Sequence, residues 1–69
     1  MTSKFIGNEI GDATLFYGFE TSFEFMTAVA RGYCEIDTRD YGDILEMRKF
    51  ESGDLVFDYE TGTMWEVVE

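Results

Sequence analysis

A tetrad repeats in the last third of the chain. Phe50-Glu51-Ser52-Gly53 returns nine residues later as Tyr59-Glu60-Thr61-Gly62. An aromatic residue, a glutamate, a hydroxyl residue and a glycine suit a tight hairpin loop, because glycine takes the left-handed conformation that closes a three-residue connection. Two such loops predict three antiparallel strands, Ile44 to Phe50, Asp54 to Tyr59 and Thr63 to Val68. In that register Tyr59 faces Thr63, Phe57 faces Trp65 and Leu55 faces Val67. Lys49, Met47 and Leu45 then lie opposite Leu55, Phe57 and Tyr59. The resulting face is almost wholly apolar and should form the core with Trp65, with Lys49 snorkelling at its rim. The opposite face carries Glu46, Asp54, Asp58, Glu60 and Glu66. A competing reading turns Asp40 to Lys49 into a helix capped by Asp40, since Leu, Glu, Met, Arg and Lys are good helix formers.

Upstream, Lys4 to Ile10 and Ala13 to Phe19 read as strands. Thr21 followed by Glu24 is a capping box. Phe23, Met26, Thr27 and Ala30 follow helical spacing, widened by Phe25 and Val29. Arg31 suits the last turn and Gly32 the position after it. The pattern predicts a helix over Ser22 to Arg31. Tyr33 to Thr38 alternates like a strand, and Arg39 to Asp43 reads as a loop. The expected fold is α+β, ββαβββ-like, a small antiparallel sheet packed against one helix in a single compact domain of residues 1–69.

A chain of 69 residues has little core to spare. The single cysteine, Cys34, excludes an internal disulfide, and the absence of histidine argues against zinc. One Trp, four Tyr and seven Phe supply the packing material instead. Self-association is a second route to stability: the meander's last strand would offer a free edge to its twin, giving a homodimer. No segment has the length of a membrane span or the form of a targeting signal. A lone reduced cysteine fits a cytoplasmic home.

Charge narrows the function. Fifteen acids against five bases give a net charge of −10, which disfavours nucleic acid and anionic membranes and favours basic partners. An apolar fraction of 45% separates the chain from acidic disordered tails. Residues Glu35 to Glu60 hold nine acids and three bases. Carboxylates two apart on a strand lie roughly 6.6–6.8 Å from one another. Such a row can imitate the phosphates of a nucleic acid strand and fill a Lys/Arg groove. The candidate partner-binding residues are Asp37, Asp40, Tyr41, Asp43, Glu46, Asp54, Asp58, Glu60 and Glu66.

Catalytic patterns are missing. Without histidine neither a serine triad nor a cysteine–histidine pair can be built. The glycines never form a phosphate loop. Cys34 reads as a packed strand cysteine. Asp37, Asp40 and Asp43 beside Gly42 do not match the twelve-residue calcium loop, and Asp37 and Asp40 suit turn geometry. The expectation is a non-enzyme without cofactor or metal. In size, net charge and compact α+β pattern the chain resembles the small acidic inhibitors of bacteriophages and mobile elements, including anti-CRISPR and anti-restriction proteins. That resemblance implies a nucleic-acid mimic that blocks a basic, nucleic-acid-binding protein or complex. The alternative is a structural or protein-interaction subunit, of a phage particle or a regulatory complex, whose acidity only keeps it soluble.

Overall fold

The computed structural model describes residues 1–11, 16–38 and 44–69, with the side chains of all of these except 36–38 and 44–46. Its elements are β1 (Thr2–Gly7), β2 (Phe16–Phe19), α1 (Ser22–Arg31), β3 (Tyr33–Thr38), β4 (Ile44–Lys49), β5 (Leu55–Asp58) and β6 (Thr63–Val68). The fold is α+β. The helix packs against a four-stranded sheet of order β1-β6-β5-β2, while β3 and β4 form a separate two-stranded sheet. The four-stranded sheet is mixed rather than wholly antiparallel, because β2 runs parallel to β5.

α1 occupies the span its sequence predicts. The Thr21 hydroxyl accepts the Glu24 N–H at 3.2 Å, and the Gly32 N–H donates to the carbonyls of Ala28 and Val29. Its buried stripe is Phe25, Ala28 and Val29, the i, i+3, i+4 spacing of one helix face, and not the expected face: Phe23, Met26 and Ala30 are exposed, because the helix turns its Phe25 side to the sheet.

The three-stranded meander does not form. Residues 44–49 are a strand, not a helix, but β4 pairs with β3, from Tyr33↔Lys49 to Thr38↔Ile44. Glu46 is therefore opposite Ile36 in the ladder, while Asp58 pairs with Phe19 and Thr63. Both tetrad glycines take the expected left-handed conformation, Gly53 at φ 100° and Gly62 at φ 68°. Only the second closes a hairpin. The first redirects the chain, and β5 leaves β4 to lie between β6 and β2.

The surviving hairpin is one residue out of the expected register. Asp58 pairs with Thr63, Phe57 with Met64 and Val56 with Trp65, so the loop is Tyr59 to Gly62. The Gly62 N–H donates to the Asp58 carbonyl at 2.8 Å across that loop. A slip of one residue turns every side chain of a strand to the other face. Val56 and Asp58 now share the face of Trp65 and Val67, while Phe57 lies beneath Tyr59 on the far side, ring centroids 4.8 Å apart.

The helix-side core joins Phe25, Ala28, Val29, Cys34, Phe50, Val56 and Val67, with Tyr17, Phe19 and Trp65 packed around them. Val56 and Val67 are 0% exposed. Trp65 was expected in the core and lies between two rings, edge-on to Phe5 at 5.6 Å and to Phe25 at 5.5 Å. Phe50, just past β4, sits 4.8 Å from Tyr17 and ties the β3–β4 pair to the main sheet. Cys34 is buried, as a packed strand cysteine should be. Burying each of the Phe and Val side chains of this core contributes roughly 1.5–3 kcal/mol. β6 lies between β1 and β5, so it offers no free edge for the expected homodimer; among the described residues the edges of the sheet are β1 and β2.

Candidate functional site

Two of the acids assigned to a binding face serve the helix instead. The first backbone N–H groups of a helix have no internal acceptor, and its N-terminus carries a partial positive charge. Glu60 reaches across from the β5–β6 loop and accepts the Ser22 N–H at 2.8 Å. Asp58 accepts from the Ser22 hydroxyl at 2.5 Å, from the Thr61 hydroxyl at 2.9 Å and from the Glu60 N–H at 3.0 Å. Asp58 is only 4% exposed. Burial pushes its carboxyl pKa up, but the bonds from Ser22, Thr61 and the backbone N–H groups of Glu60 and Thr61 outweigh that and leave it below its ordinary value. Thr61 continues the chain to Thr63 at 2.7 Å, whose hydroxyl in turn accepts the Trp65 indole N–H at 2.7 Å.

Asp54 and Glu66, the other expected contact residues whose side chains are described, do not share an element. Asp54 accepts the Glu51 N–H at 2.8 Å and holds the turn before β5. Glu66 is half-buried in β6 and pairs in register with Lys4 on β1. Asp37 belongs to β3 and Glu46 to β4, with their side chains outside those described. Asp40, Tyr41 and Asp43, with the calcium spacing considered for them, lie outside the described residues. The row Asp54, Asp58, Glu60 is thus not a uniform acidic face: Asp58 points inward, Asp54 braces a turn, and Glu60 is exposed while also capping α1.

A different acidic surface emerges beside the helix. An open groove runs between α1, the end of β2 and the start of β3. Its lining includes Glu20, Glu24 and Glu35, with Arg31 as its cation. These four side chains are exposed. Phe23 also lines the groove and is 78% exposed, although the same helix buries Phe25 almost completely. Met26, three residues on, is 66% exposed. Cys34 and Ala28 contribute buried apolar floor. Burial pushes the Cys34 thiol pKa up, with Arg48 opposing in part, so the thiol is a poor nucleophile. Tyr17 is likewise raised, by burial first and then by Asp54.

The sequence reading missed this groove, because it placed Phe23 on the apolar face of the helix; Glu20 and Glu24 flank Phe23 in the chain. What no local pattern indicated was that Glu35, on the strand after the helix, would join them. Among the described residues there is no cluster of acids and cysteine suited to a metal ion, and no helix is long and apolar enough to cross a membrane. Comparison with family models, with curated proteins and with solved structures finds no match.

Proposed function

We propose that this protein is an acidic binding protein that occupies the basic surface of a nucleic-acid-binding partner and blocks it, as the phage-type inhibitors it resembles in composition do. The observation that carries this reading is the exposed Phe23 set among the carboxylates of Glu20, Glu24 and Glu35, on a chain of net charge −10. Carboxylates speed and orient the encounter with a basic partner. An exposed aromatic ring supplies the desolvated contact that charge alone does not. Binding, not catalysis, is the proposed activity, and it requires no cofactor.

The test is capture from a nuclease-treated bacterial lysate on immobilised protein, with retention followed as salt is raised. Between about 0.1 M and 1 M the screening length falls from about 10 Å to about 3 Å. The expected catch is a nucleic-acid-binding protein that salt releases and that added DNA or RNA displaces. A partner that resists both salt and nucleic acid refutes the mimic. It would favour the alternative, an interaction subunit, for which the apolar pair Phe23 and Met26 on the outer face of α1 would be the contact.

A further inference from the structure

We infer that the groove between α1, β2 and β3 takes an extended, basic segment of the partner, which adds as a strand to the edge of β2 that no strand among the described residues covers. The inference rests on the basic-partner reading and names the element of the partner that binds. Sheet edges are normally guarded, by lysine, by proline or by bulges that spoil pairing. β1, one edge of the sheet, has both Lys4 and a register irregularity between Phe5 and Gly7. β2, the other edge, is Phe16-Tyr17-Gly18-Phe19, with no charge and no irregularity in its ladder to β5. β2 is therefore the edge left ready for pairing, and Gly18 and Phe19 line the groove.

Charge decides the occupant. Glu20, Glu24 and Glu35 outnumber Arg31 along the groove. A second copy of this chain would bring those acids against their own kind, so the edge is unsuited to self-pairing. A strand entering from a basic partner would present Lys or Arg to the three glutamates. Apolar residues between them would supply the contact for Phe23.

The test uses a short synthetic peptide of alternating lysine and valine as probe, titrated into isotope-labelled protein and followed by NMR. Strand addition predicts shift changes at Phe16 to Phe19 and at Tyr33 to Glu35, with slowed amide exchange along β2. The combined variant Glu20→Lys, Glu24→Lys, Glu35→Lys should bind about tenfold more weakly or worse, because close charge pairs at an interface dominate such losses. These side chains are exposed, and a circular dichroism spectrum matching the parent checks that the variant folds. Phe23→Ala, also at an exposed position, should weaken binding several-fold with the charges intact.

A peptide of the same charge with glycine in place of valine separates strand addition from bulk attraction. Equal affinity for it, shift changes elsewhere on the protein, or undiminished binding by the triple variant overturns the inference. The same variant tells the two readings apart in the lysate capture. If it retains the salt-sensitive partner as the parent does, the groove is the wrong site and the basic-partner reading stands. If the parent itself captures nothing salt-sensitive while the peptide still adds to β2, the edge is a docking site and the inhibitor reading fails.

Discussion

Replacing Asp58 with alanine tests how the fold depends on one inward carboxylate. The side chain accepts from the hydroxyls of Ser22 and Thr61 and from the Glu60 N–H at 2.5, 2.9 and 3.0 Å. A bond to an ionised acceptor contributes about 1.5–3 kcal/mol, and a buried donor left unpaired carries its own desolvation penalty. Part of this is recoverable, because the Thr61 hydroxyl still reaches Thr63 at 2.7 Å. The expected loss is about 3–4 kcal/mol. A domain of this size has only about 3–10 kcal/mol in total, so Asp58→Ala should lose about a third or more of its stability. Urea titration monitored by the fluorescence of Trp65, which sits between Phe5 and Phe25, measures the change. Asp58→Asn keeps the shape and loses the charge, and should fall between alanine and the parent. A loss under about 1 kcal/mol for alanine would mean that water replaces these bonds without penalty, and the reasoning fails.

The same residue sets a pH dependence. The folded carboxyl has a lowered pKa, so the folded state binds fewer protons than the unfolded state as the group titrates. Its contribution is fully present above the unfolded value of about 3.9 and is lost as pH falls through the lower folded value. Acidification also relieves the repulsion of a chain at −10, which acts in the opposite direction. The comparison with Asp58→Asn isolates the Asp58 part: the stability gap between parent and variant should narrow below about pH 4.

Three further outcomes follow from the packing. A methyl group on Gly18 would stand 2.6 Å from the Tyr59 ring, so Gly18→Ala should displace that ring from Phe57 and cost about 1 kcal/mol, by the worth of an aromatic pair; in a Tyr59→Ala background, thermal melts should show the cost largely gone. Thr21→Ala removes the acceptor for the Glu24 N–H and should cost about 1 kcal/mol in the same melts, where no change would make Glu60 the cap that matters. The Cys34 thiol, buried and raised in pKa, should react with a thiol reagent at neutral pH far more slowly in the folded protein than in urea, and equal rates would contradict its burial.

Much of the local structure is legible in the sequence. The span of the helix is read correctly because its end signals are contiguous, Thr21 before it and Gly32 after it, but its buried face is not: the spacing reading chose Phe23, Met26, Thr27 and Ala30, whereas packing against the sheet buries Phe25, Ala28 and Val29. The strand character of residues 44–49 and the left-handed glycines of both tetrads are local as well. The candidate site was less legible. Asp58 and Glu60 look like surface acids in a strand and its loop, and nothing nearby in sequence says that the N-terminus of α1 needs them.

The chain's composition and short-range patterns thus determine an acidic α+β protein with one well-capped helix and a set of short strands. Tertiary structure alone decides which strands meet. The second tetrad forms its hairpin, whereas the first, with the same turn chemistry, sends β5 to a parallel pairing with β2. A turn depends on backbone preferences of a few adjacent residues, but strand partnership depends on which arrangement buries Val56, Val67, Phe50 and Phe25 together. That choice also fixes the hairpin register, turns Asp58 inward to the helix, and, among the described residues, leaves β2 at the edge of the sheet beside Glu20, Glu24 and Glu35.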